Sequence, residues 1–146
     1  MAELIEPADG ETVAISYLGG ALADEPDFEG VEVLGALSSA SEGYVPPGEA
    51  VVVRLTGQNP RDLLVDVHQL TLTAWADAPG EELRASDILR RAAAHMRLAE
   101  RLGSMAGTVC TEVRTYSFYN DPDPVTGRAR YSATFAVSLR GQVVRA

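Results

Sequence analysis

Lysine is absent from this sequence, cysteine occurs once and histidine twice in 146 residues. Arginine without lysine marks a high-GC coding genome, which speaks of origin and not of mechanism. The single Cys110 permits no internal disulfide, and one cysteine with two histidines does not make a closed zinc site. No apolar run approaches the ~20 residues of a transmembrane helix. The opening Met1-Ala2-Glu3-Leu4-Ile5-Glu6 carries acids where a signal peptide needs a basic head, so the expectation is a protein of the cytoplasm in which it is made. Patterns whose geometry carries a mechanism are missing as well: there is no P-loop, G-x-G-x-x-G, G-x-S-x-G, H-E-x-x-H or C-x-x-C. No enzyme, cofactor or metal is expected.

What remains is an ordinary folding composition, 46% hydrophobic and 23% charged. A chain of this length buries roughly 68–70% of its unfolded surface, enough for one domain over residues 1–146 without a staple. The charge is unevenly spread. Residues 1–50 hold eleven acids and no base, while residues 51–146 hold ten acids and all twelve arginines, so the net −9 divides into −11 and +2. That excess argues against free binding to nucleic acid, which draws on clustered Lys and Arg to neutralise phosphate. It serves solubility, or it makes the acidic first third of one subunit complementary to the arginine surface of a neighbour.

The periodicities predict an α+β fold: an antiparallel or mixed β-sheet with two helices packed on one face and a long C-terminal β-hairpin. A short first helix runs from Asp9, its N-cap, to Leu22, weakened at its end by Gly19-Gly20. Val31 to Val33 is a short strand, followed by a long Ser/Ala/Gly/Pro loop over 35–48, long enough to be an arm that orders on a partner. Ala50 to Leu55 is a β-branched strand closed by Gly57-Gln58-Asn59-Pro60, and Gln69 to Ala76 is another. The clearest element is a helix from Glu81 to Leu102, with one stripe of Ala85, Ile88, Leu89, Ala92, Met96, Ala99 and Leu102, stopped by Gly103. Strands from Val109 to Tyr119 and from Arg130 to Val144 close the chain. Between them Asn120-Asp121-Pro122-Asp123-Pro124-Val125-Thr126-Gly127-Arg128 predicts a protruding hairpin loop.

His68 and His95 are isolated in sequence, and His95 reads as packed against the core or facing solvent sooner than as a general base. Cys110, with no histidine near it, reads as a buried filler sooner than as a nucleophile. Asp121 and Asp123 flank prolines and fit turn chemistry better than a calcium loop. Gly103 and Gly107 read as a helix stop and a turn.

The closing segment, Asn120-Asp121-Pro122-Asp123-Pro124 through Thr126-Gly127-Arg128-Ala129-Arg130-Tyr131 into Ala133 to Gly141, resembles the end of the tail terminator proteins of long, non-contractile-tailed bacteriophages. There a Pro-Asp-Pro turn and a following Gly lead to an Arg-Tyr pair and a strand ending in Arg-Gly. Arg54 to Gly57 looks like the family's Arg-x-x-Gly strand end. Arg61-Asp62-Leu63-Leu64-Val65-Asp66 is similar to its Arg-Asp-Leu-Val-Thr-Asp turn, and Leu70 to Ala76 looks like its next strand. Val13 to Leu18 is similar to its first helix. The resemblance covers Asp9 to Gly141 in order; the 35–48 loop and Gly19-Gly20 depart from it.

The resemblance implies a virion structural protein of a siphophage tail. Such proteins form a homo-hexameric ring on the head-proximal end of the tail tube, stop polymerisation of the major tail tube protein and meet the neck or head-completion protein. Genomic DNA passes through the lumen without specific binding, and no membrane is involved. Tyr119, Asp121, Asp123, Arg128 and Arg130 of the hairpin, Arg61 of the turn and Tyr44 of the long loop are the candidate contact residues, or else ordinary surface. If the hairpin docks on a neighbour, Arg128→Glu with Arg130→Glu is expected to block the ring while the monomer stays folded. Two other readings stay open: a head-tail connector or neck protein, and a small ligand-binding or hydrolytic domain with a cleft beside Trp75 and His68.

Overall fold

Ten elements follow one another along the chain. They are β1 (Glu3–Glu6), α1 (Gly10–Ala23), β2 (Glu32–Gly35), β3 (Ala50–Pro60), β4 (Val65–Trp75), α2 (Glu82–Leu102), β5 (Ser104–Met105), β6 (Thr108–Asn120), β7 (Arg130–Arg140) and β8 (Gln142–Arg145). The computed structural model describes residues 3–35 and 45–145. Most of the expected long loop, Tyr44 included, lies outside the described residues.

Six strands form one sheet in the order β2-β3-β4-β7-β6-β5, and β1 pairs with β8 in a separate two-stranded ribbon. β2 runs parallel to β3 and the other neighbours are antiparallel, so the sheet is mixed and the fold is α+β. Both helices cover the same face. Ala14, Leu18 and Leu22 of α1 and Ile88, Leu89, Ala92, Met96 and Ala99 of α2 close over Val51, Val53, Leu70, Leu72, Phe135 and Val137 of the sheet. The other face carries small hydroxylic side chains at the centre of β4 and β7. Thr71 and Thr134 lie 3.4 Å apart across β4 and β7, and Thr73 and Ser132 lie 3.0 Å apart in the next row, as cross-strand partners do.

Local chemistry sets the helix ends. Asp9 caps α1, its carboxylate accepting from Thr12 N at 3.2 Å. Gly19 and Gly20 do not end α1, because Leu22 beyond them is fully buried and holds the last turn to the sheet. Gly103 ends α2 in the left-handed region at φ 72°, where glycine carries no Cβ penalty. Leu102, expected in the core stripe, is instead 64% exposed.

Three expectations about strands are corrected. β3 runs through Gly57-Gln58-Asn59 to Pro60, since a bulge between Leu55 and Gly57 absorbs the glycine and the proline sits at the strand's last position. β4 starts at Val65, four residues before the expected Gln69. The closing strand breaks at Gly141, where a Cβ would stand 2.7 Å from the Glu6 carbonyl oxygen. That break sends β8 away from the main sheet to pair with β1. No helix among the described residues is long and apolar enough to cross a membrane.

Candidate interaction surface

The loop between β6 and β7 is fastened, not free. Arg128 is buried, and its guanidinium donates from Nε to Ala76 O at 2.9 Å, from Nη2 to Gly48 O at 3.0 Å and from Nη1 to Pro46 O. Three segments distant in sequence thereby converge on one side chain: the end of the β2–β3 connection, the start of the β4–α2 connection, and the hairpin loop. Arg128 also lies 5.0 Å from the centroid of the Trp75 ring, with Arg130 at 4.9 Å. Delocalised guanidinium planes pack on an indole face in this way and supply both area and electrostatic attraction. Trp75 is covered by them to 5% exposure.

Asp123 sits inside the same loop. Its carboxylate accepts from the Thr126 hydroxyl at 2.5 Å and the Thr126 amide at 3.0 Å, with Arg130 Nη1 at 3.8 Å. These contacts, the Thr126 hydroxyl first, hold its pKa below the usual aspartate value. Asp121 accepts from Ser132 Oγ at 3.1 Å and pairs with Arg130 Nη2 at 3.3 Å. The turn chemistry of this pair is thus internal to the loop. Among the described residues no group of three His, Cys, Asp or Glu side chains is arranged to hold a metal ion.

The structure therefore divides the seven candidate residues. Asp121, Asp123, Arg128 and Arg130 come together and satisfy one another and the backbone around them. Tyr119 stands beside them on β6, 48% exposed. Arg61 belongs to the turn before β4, at the opposite end of that strand and about 33 Å away by strand rise. There Asp62 Oδ1 accepts from the amides of Leu64 and Val65, each at 2.9 Å, leaving Leu63 at the tip 82% exposed. The exposed residues of the hairpin loop are Pro122, Pro124, Val125, Thr126 and Gly127, with Val125 84% exposed. Sequence reading passed over Leu63 and Val125, whose only signal is an apolar side chain inside a turn. The burial of Arg128 also alters the expectation for Arg128→Glu with Arg130→Glu. Reversing charge there breaks the subunit's own loop, so the exposed Val125 is the cleaner probe.

No cleft joins His68 and Trp75. They lie on opposite faces of β4, His68 fully buried under the start of α1 and Trp75 beneath the two arginines. Neither ring nitrogen of His68 finds a hydrogen-bond partner among the described residues. Burial holds its pKa below the ordinary histidine value, against the pull of the nearby Asp66 and Asp9 carboxylates. A histidine kept neutral by the fold gives full stability above its unfolded pKa of about 6.5, and that contribution is lost as pH falls through the folded value. Urea midpoints are expected to drop between pH 7 and pH 5 with a slope of up to about 1.4 kcal/mol per pH unit, and His68→Leu should flatten that window. A slope unchanged by His68→Leu would assign the titration elsewhere. The loss of Asp123 and Glu25, whose pKa values are lowered, belongs to a more acid range, below their unfolded values.

His95 binds Glu25 at 2.7 Å through Nε2, and Arg91 pairs with the same carboxylate, so a half-buried ion cluster fastens the end of α1 to α2. Cys110 is 1% exposed, and burial pushes its thiol up to about 11, which suits a filler of the core.

No protein-family model matches the chain, and no curated protein matches it.

Proposed function

We propose that the protein is a tail terminator of a long, non-contractile-tailed bacteriophage, a non-enzymatic virion subunit that forms a six-membered ring on the head-proximal end of the tail tube. The ring stops addition of tube protein and receives the neck protein. The observation that carries this reading is how the segment bearing the family resemblance is built. Arg128, Arg130 and Asp123 make the hairpin loop a fixed platform that presents Pro122, Pro124 and Val125 outward, and preorganised surfaces lose little entropy on binding. The sheet carries a second exposed tip, Leu63, at its other end. A subunit lying between tube and neck needs two such ends. The net −9 also suits a lumen through which DNA passes without phosphate contacts.

The test is the tail-length distribution, by negative-stain electron microscopy, of particles from the phage with this gene deleted. Overlong, unattached tubes are expected. Tails of normal length beside filled, tailless heads would make the protein a neck component, and intact infectious virions would overturn the proposal. Complementation with Val125→Asp and with Leu63→Asp should then separate the two ends. One variant is expected to give overlong tubes and the other unjoined tails of normal length; the same phenotype from both would argue against an axial division of labour.

A further inference from the structure

We infer that the protein associates edge to edge with a second copy of itself, the arginine-bearing α2–β6 edge of one copy docking on the acidic α1–β2 edge of the next. The inference takes self-association from the proposed function and adds the surface, which the sequence alone did not locate.

The sheet order puts β2 at one edge and β5 with β6 at the other. Around β2 and the end of α1 stand Asp24, Asp27, Glu29 and Glu32, all exposed and none in an ion pair among the described residues. Three arginines of α2 reach this edge and are each taken by an acid: Arg84 pairs with Glu49, Arg90 with Asp87, and Arg91 with Glu25, which His95 also binds. The four exposed carboxylates remain as its unpaired charge among the described residues. At the opposite edge Arg97 and Arg101, one helical turn apart on α2, are exposed and without an acidic partner among the described residues. Arg97 leans over β6, with Nε 3.4 Å from Thr115 Oγ1. On β6 itself Tyr116 and Phe118 are 47% and 43% exposed. Exposed aromatics and arginines are the side chains that dominate binding energy at interfaces.

Unpaired acids on one edge and unpaired arginines on the other decide the symmetry. Like edges repel, so a two-fold pair through either edge is disfavoured, whereas unlike edges attract and give a head-to-tail contact that can repeat until it closes. The contact is made by side chains and not by adding strand to strand. On the acidic edge Glu11 Oε1 already takes the Leu55 amide at 3.0 Å, and on the other Glu100 Oε1 takes the Val113 amide at 2.8 Å. A bulge at Ser117, in the left-handed region at φ 29°, twists β6 further from a pairing geometry.

Sedimentation velocity on the full chain tests this. The wild type is expected to form oligomers at low salt that weaken as salt rises. Arg97→Glu with Arg101→Glu, and separately Glu29→Arg with Glu32→Arg, should each weaken assembly by about ten-fold or more. An equimolar mixture of the two variants should assemble again, because every contact in an alternating ring then pairs unlike edges; misfolded variants would not be rescued. Wild type that stays monomeric at its highest attainable concentration, variants that assemble as the wild type does, or a mixture that stays dissociated would each overturn the inference. Overlong tails in the gene deletion combined with unaffected variants would leave the function standing and remove this interface. Rescue in the mixture with normal tails in the deletion would do the reverse.

Discussion

Arg128→Ala is expected to lower the stability of the isolated subunit by about 4 kcal/mol, since carbonyls served by a charged donor lose roughly 1.5–3 kcal/mol each and loop relaxation recovers part of the sum. The carbonyls of Ala76, Pro46 and Gly48 lose their donor together. For a chain of this size the melting temperature should fall by roughly 8–16 °C. Trp75 is the only tryptophan, so its emission reports the same event: loss of the stacked guanidinium should admit water and shift the spectrum to the red. Arg128→Lys is expected to recover less than half of the loss, because an ammonium cannot span three carbonyls as a planar fork does. A melting temperature unchanged in Arg128→Ala would mean that the three segments hold together without it.

Gly10→Ala is the second large effect. A Cβ at Gly10 would stand 2.5 Å from Nδ1 and 2.7 Å from Cγ of His68, and that ring is itself enclosed on all sides. Neither the helix start nor the ring can give way without moving core, so a destabilisation of about 2–3 kcal/mol is expected. Removing the ring relieves the two closest contacts and leaves the His68 Cβ position at 3.0 Å. Gly10→Ala combined with His68→Ala should be less destabilised than the sum of the single changes by about 1 kcal/mol or more, read from urea midpoints. Strict additivity would show that the cost at Gly10 arises from something other than His68.

These two positions also show where sequence reading stops. α2 was legible because its apolar residues recur at spacings that only a helix brings to one face, and the alternation of Tyr131, Ala133, Phe135 and Val137 placed β7 equally well. β1, β5 and β8 were not, since four residues, two and four carry too little pattern to be seen before their partners are known. Gly57 to Pro60 read as a turn because those residue types favour turns, and a bulge let the strand absorb them. Arg128 and Arg130 read as surface because arginine usually is. What buries Arg128 is a ring of backbone carbonyls and one indole, neither of which leaves a signature near position 128. The segregation of acids and arginines along the chain was plain from the counts, but the fold brings Arg84 and Arg91 back to Glu49 and Glu25, a pairing no count could show.

That strand order governs how the subunit comes into being. β4 and β7 are neighbours at the centre of the sheet, yet residues 65–75 must wait for residues 130–140. During synthesis the β3–β4 hairpin emerges with only α1 available to cover Val51, Val53, Leu70 and Leu72, and the rest of its cover waits until α2 and then β7 have been made. Pairings this distant fold on the slow side, in milliseconds to seconds. A nascent chain with a half-covered apolar hairpin is a target for chaperones, and the two edges are joined into one sheet only when the last central strand is in place. The rate at which folded subunit appears is therefore set by translation together with that final strand insertion.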